Sequence, residues 1–89
     1  MVRTLSAGVF AGILISRTEN VVLLKQARRI WYWDGAATLS QLAQSWTSCP
    51  SKCKFPEPVG QVVLMGVIEI IPITAKAARS IKAVPIWKN

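Results

Sequence analysis

Between Lys25 and Gly35 the chain reads KQARRIWYWDG, in which two adjacent arginines are followed, after one isoleucine, by three consecutive aromatic residues. Arg28 and Arg29 supply planar guanidinium forks that match phosphate oxygens. Trp31, Tyr32 and Trp33 supply π faces on which a base or a guanidinium can stack. In an extended segment side chains alternate, so Arg28, Ile30 and Tyr32 share one face while Arg29, Trp31 and Trp33 share the other. Either face pairs a cation with a ring, which makes Arg28, Arg29, Trp31, Tyr32 and Trp33 candidate ligand-binding residues for a nucleotide-like anion. The same pattern also satisfies ordinary packing, with tryptophans filling a core or an interface and arginine stems laid over rings.

Catalytic chemistry is poorly supplied. The 89 residues include no histidine and four scattered acids, and no glycine-rich phosphate loop is present. Neither a nucleophile–base pair nor a carboxylate pair can be assembled from spacing, so the chain reads as a binding protein and not an enzyme. Glu69, set among the apolar residues of VIEII, reads as an exposed or arginine-paired strand residue. Cys49 and Cys53 in CPSKC are one residue wider than a redox CxxC and lack a second pair to complete a zinc site. No metal and no cofactor is expected. The two thiols fit a local disulfide in an oxidising compartment or a reduced pair in a surface loop of a cytosolic protein.

Eleven Lys and Arg against four Asp and Glu give a net charge of +7, distributed from Arg3 to Lys88. Such a surface attracts nucleic acid, anionic lipid or phosphorylated small molecules, or simply maintains solubility. Hydrophobic residues make up 52% of a chain too short to bury a large core. A homo-oligomer is therefore expected, with Trp87 and one face of the central strands at the interface. Arg3 followed by uncharged Thr4 to Ser16 imitates a signal peptide, but no small-x-small site follows Ile15, and Gly8 and Gly12 fit bent strands better. No uncharged run approaches the roughly 18 to 20 residues of a spanning helix.

The elements that would position these residues are mostly strands of a single domain, residues 1–89. Val2 to Leu5 and Val9 to Ile15 read as strands joined by a bend at Ser6–Gly8. The polar SRTEN leads to Val21–Leu24, which should return as a hairpin, and Lys25–Trp33 is expected as a further strand. After a turn at Asp34–Gly35, Thr38 and Gln41 form a capping-box pattern for a short helix whose apolar face is Leu39, Leu42, Ala43 and Trp46. Residues 47–59 form a proline-rich loop with a short strand near Lys52–Phe55. Gly60–Ile71 resumes β structure with a kink at Gly66. Thr74 caps a second helix with Ala77, Ala78 and Ile81 on its apolar side and Lys76, Arg79 and Lys82 on a basic edge. The tail VPIW is extended, with Trp87 docking on the domain or a neighbour. The expected fold is α+β, mainly an antiparallel β-sheet curled into a small barrel or sandwich, with one or two short helices.

The order of LLKQARRIWYW, LSQLA, GVIEIIPIT and AVPIW resembles a family of small proteins encoded by tailed phages and prophages, over nearly the whole chain from about Val9. That family has no assigned activity. The resemblance implies a compact phage accessory protein in the host cytoplasm, with reduced thiols at Cys49 and Cys53. Small phage proteins of several kinds sequester nucleotide immune signals in pockets shared between subunits, so the setting implies a ligand of cyclic dinucleotide or cyclic ADP-ribose type. Two alternatives stay open: a single-stranded nucleic-acid-binding protein, and a virion or accessory protein that contacts only other proteins.

Overall fold

The computed structural model describes residues 1–33, 35–45 and 47–87. Trp46, expected on the apolar face of the first helix, and Asp34, expected in the preceding turn, lie outside the described residues. The elements in chain order are β1 (Val2–Thr4), β2 (Val9–Thr18), β3 (Val21–Ile30), α1 (Leu39–Ser45), β4 (Val59–Met65), β5 (Val67–Ile70) and α2 (Ala75–Ala83), with a 3-10 turn at Pro50–Lys52. The fold is α+β, with an antiparallel sheet of strand order β4-β3-β2-β1-β5.

Thr4 starts the first hairpin. Its amide and hydroxyl both donate to the Gly8 carbonyl at 2.9 Å, and its hydroxyl accepts from the Ala7 amide at 2.8 Å. The β2–β3 hairpin closes over Glu19 and Asn20, with Glu19 in the left-handed region (φ 53°) that two-residue hairpin turns require. β3 runs unbroken from Val21 to Ile30, where the sequence suggested two strands meeting at Leu24–Lys25. The reason is a bulge: Ala11 pairs with Arg28 and Ile13 with Lys25, so β3 carries one extra residue there, and Gln26 takes a positive φ of 50°. The bulge bends the strand without ending it. β3 stops at Ile30, short of the expected Trp33, and pairing resumes only as an isolated bridge between Tyr32 and Lys54.

β4 and β5 stand at opposite ends of the sheet, yet a single residue, Gly66, separates them in the chain. The sheet must therefore coil until its ends approach. Gly66 (φ 71°) accepts from the Leu5 amide at 2.9 Å, while the Val67 amide donates to the Asn20 carbonyl at 3.0 Å. No ladder joins β4 to β5 among the described residues, so the five strands form one open, curled sheet, and of the barrel or sandwich expected from the sequence the closed barrel is not shown. Strand alternation then gives two apolar centres. Val2, Phe10, Val22, Leu24, Ala27 and Leu64 pack inside the curl, whereas Met1, Ala11, Ile30, Leu42, Phe55 and Ile81 pack between the sheet and the helices.

Both helix caps form as their residue types predict. The Thr38 hydroxyl accepts from the Gln41 amide at 3.1 Å, and the Gln41 side chain accepts from the Ala37 amide at 2.9 Å. Thr74 accepts from the Ala77 amide at 3.1 Å, donates its hydroxyl to the Gln44 carbonyl at 2.9 Å, and so ties α2 to the end of α1. Ala77 and Ile81 are buried and Ala78 is half-buried, while Lys76, Arg79 and Lys82 face solvent.

Candidate functional site

The five residues singled out by the sequence do not converge. Adjacent positions on β3 point to opposite faces, and the structure divides them into a buried strut, a shallow cleft and an exposed aromatic shelf. Arg28 is the strut, only 4% exposed. Its Nε donates to the Pro56 carbonyl at 3.1 Å, Nη1 to the Ile81 carbonyl at 2.7 Å and Nη2 to the Phe55 carbonyl at 3.1 Å. The guanidinium carbon also lies 5.5 Å from the Phe55 ring centroid. No carboxylate pairs with it among the described residues, and desolvation pushes its pKa down from the ordinary arginine value. Three carbonyl dipoles and a ring face stand in for a counter-ion.

Arg29 lies on the other face. Its guanidinium stacks on the Phe10 ring, 4.3 Å from the centroid, and Nη1 donates to the Ala7 carbonyl. With Ser6–Val9, Ile30, Trp31 and Trp33 it lines an open cleft of about 300 Å³. Gly8 floors this cleft with a positive φ of 94°, and a Cβ there would stand 3.5 Å from Arg29 Nη1. Trp33 packs against the helix-side core, which fits the packing alternative for this one residue.

Trp31 has a different environment, being 63% exposed. Its ring lies parallel to that of Trp87, with centroids 6.5 Å apart and planes 5° from coplanarity. Two short pairings carry Trp87 there: Phe55 bridges Ile86 in parallel, and the Trp87 amide donates to the Phe55 carbonyl at 3.0 Å. The tail thus docks on its own domain. Lys54 is held opposite Tyr32 by three backbone bonds, with Trp31 and Tyr32 amides donating to the Lys54 carbonyl and the Lys54 amide donating to the Tyr32 carbonyl at 2.7 Å. Its ammonium stands 5.7 Å from the Tyr32 ring centroid and 5.6 Å from that of Trp87. The result is a surface of exposed Trp31, Tyr32 and Lys54 with a half-buried Trp87, joined to the Arg29 cleft through Trp31. Sequence reasoning missed Lys54 and gave Trp87 no place beside the arginine–aromatic strand, because both lie far along the chain. The only local sign was a cation or aromatic residue in each of the segments SKCKF and VPIW.

Chemically, such a surface offers planar stacking with a positive charge over the rings. It offers no nucleophile held against a base. Glu69 pairs with Arg3 at 3.2 Å on the β1–β5 ladder. Cys49 and Cys53 are not disulfide-bonded; the Cys53 thiol points at the Cys49 carbonyl at 3.6 Å, and the Cys49 sulfur lies 3.7 Å from the Ser48 hydroxyl. Among the described residues no helix is long and apolar enough to cross a membrane, which leaves membrane-spanning strands unaddressed.

A family model described as a domain of unknown function (DUF6948) matches residues 1–81. The chain belongs to the DUF6948 family. The match takes in β1 as well as the region from Val9 onward and stops inside α2, so the closing AVPIW segment that brings Trp87 to Trp31 lies beyond the matched stretch. No curated protein and no solved structure matches the chain.

Proposed function

We propose that the protein works by binding, without catalysis, and that its ligand is a nucleotide-type anion whose bases stack on Trp31, Tyr32 and Trp87 while Lys54 and Arg29 meet phosphate. The observation that carries this reading is the exposed Trp31 stacked parallel on a half-buried Trp87, with the Lys54 ammonium over the Tyr32 and Trp87 rings. Large aromatic surface left in water beside cations is what sequence-tolerant binders of single strands use, each stacked base contributing about 1–3 kcal/mol. Because the shelf is open, a single strand of nucleic acid fits it without further closure, and the net charge of +7 attracts the backbone. Arg28 lies outside the shelf and the cleft, its guanidinium held against the Phe55, Pro56 and Ile81 carbonyls, and Trp33 contributes mainly as the cleft wall.

A second reading has its own support. Sequestration of a small nucleotide-derived host immune signal, of cyclic dinucleotide or cyclic ADP-ribose type, needs the shelf to be roofed. A second copy of the chain supplies a roof in a homo-oligomer, and the exposed Leu5, Val63, Met65 and Ile68 supply apolar surface for such an assembly. The phage origin and host-cytoplasm setting suggested by the sequence belong to this reading. Calorimetry separates the two: a twelve-nucleotide single strand and a cyclic dinucleotide are titrated at low and high salt. The first reading predicts that the oligonucleotide binds, with affinity falling steeply as salt rises. Tight, weakly salt-dependent binding of the cyclic dinucleotide to an oligomer replaces it with the second, and absence of binding by either removes both.

A further inference from the structure

A larger concavity lies on the helix-bearing side of the sheet. It holds about 880 Å³ between α2, the middle of β2 and β3, and the segments 58–60 and 70–73. Its walls are mainly aliphatic, with Ile13, Leu14, Val59, Ile71, Ile73 and Ile81 among the lining residues. Of these, Ile13, Leu14 and Val59 are exposed, so the groove leaves apolar strand surface in contact with water. The charged side chains on its lining are Arg28 and Lys82, both cations, with no acid on the lining among the described residues. Size and composition fit pockets that take small apolar ligands oriented by a few polar groups. They do not fit a nucleotide, whose ribose and phosphates would meet hydrocarbon.

Arg28 supplies the polar end. Three of its five N–H groups are committed to the Phe55, Pro56 and Ile81 carbonyls, which fixes the guanidinium against the wall and leaves two donors. Lys82 stands exposed on α2 at the same groove. We propose that this groove binds an amphipathic anion of the fatty-acid class, its aliphatic chain on Ile13, Leu14, Val59 and Ile73 and its single carboxylate on Arg28 and Lys82. A carboxylate there provides the counter-charge that Arg28 lacks among the described residues, and it restores the electrostatic balance that desolvation has disturbed. The groove shares no lining residue with the aromatic shelf, so its occupancy and the nucleotide reading stand or fall separately.

The test is calorimetric titration of the full chain with laurate, kept below its micellar concentration, and in parallel with dodecyltrimethylammonium, which has the same chain and the opposite charge. Two variants accompany it. Gly60→Phe fills the groove from a position where an added Cβ meets nothing within 4 Å, and Lys82→Glu reverses the exposed rim charge. The expected result is laurate binding at about 10 μM or tighter, at least about tenfold weaker binding of the cationic homologue, loss of binding in Gly60→Phe and about tenfold weakening in Lys82→Glu. No laurate binding, equal affinity for both head groups, or unchanged binding in Lys82→Glu overturns the proposal. Thermal melts of both variants accompany the titrations. Should Gly60→Phe not fold, the head-group comparison and Lys82→Glu decide alone.

Discussion

Replacing Arg28 by methionine measures how much its three carbonyl bonds stabilise the fold. Methionine keeps the aliphatic stem and removes every donor. Hydrogen bonds to a charged donor are worth roughly 1.5–3 kcal/mol each, and three are lost. Two of the carbonyls retain a second donor: the Phe55 oxygen keeps the Trp87 amide at 3.0 Å and the Ile81 oxygen keeps the Val84 amide at 3.4 Å. The Pro56 oxygen loses the donor that Arg28 Nε gives it. Opposing these losses, removal of a buried charge recovers a desolvation penalty that reaches several kcal/mol for a fully enclosed ion. The balance is a destabilisation of about 2–4 kcal/mol, a large share of the roughly 4–13 kcal/mol available to a domain of this length. It corresponds to a fall in Tm of about 10–25 °C. Arg28→Lys keeps the charge but not the fork, and is expected to lose about half as much. Urea unfolding followed by tryptophan fluorescence measures both, with an unchanged m-value showing that only stability moved. A methionine variant within about 0.5 kcal/mol of the parent refutes the reasoning, since that is the range of unconstrained surface positions.

Three further outcomes are expected. Gly35→Ala destabilises by about 2–3 kcal/mol in the same assay, because Gly35 has φ 84° and a Cβ there would overlap Thr47 Oγ1 and stand 2.6 Å from the Cys49 nitrogen. Thr74→Ala removes both the α2 cap and the tie to Gln44, for a loss of about 1–2 kcal/mol. With the chain starting at Met1, desolvation lowers the terminal amine from 8.0 to about 6 while it donates to the Ile71 carbonyl at 2.7 Å. Between those values the unfolded chain holds more protons, so stability rises from pH 6 to pH 8 and falls as pH drops through 6; urea midpoints across that window check it, and residues added before Met1 abolish the dependence.

Local chemistry was legible in the sequence and distant chemistry was not. Thr38, Gln41 and Thr74 announced their helix starts because a cap is settled within four residues. Gly66 announced a break between two apolar runs, and Glu69 read as exposed or arginine-paired, of which the structure shows the pairing with Arg3. The bulge at Gln26 gave no sign, since glutamine is not a residue that favours positive φ, and missing it split β3 in two. The alternation of Arg28 against Arg29 was correct, but their fates depend on Phe55, Pro56 and Ile81 on one face and on Phe10 and Ala7 on the other. Those neighbours are brought in by the curl of the sheet and by α2. Likewise nothing within RRIWYW distinguishes Trp31, left in water, from Trp33, packed on the core. The difference is made by where β3 stops and where the tail returns with Trp87.

The most direct test of the aromatic shelf is a fluorescence titration with a single-stranded oligothymidylate at low salt, comparing the parent chain with Trp31→Ala. Stacking on Trp31 and Trp87 predicts saturable quenching in the parent. It also predicts an affinity lower by about 5- to 150-fold in the variant, the loss of roughly 1–3 kcal/mol for one stacked base, with Tm little changed because Trp31 is mostly exposed. Equal affinity in the two proteins, or no quenching in either, contradicts the account.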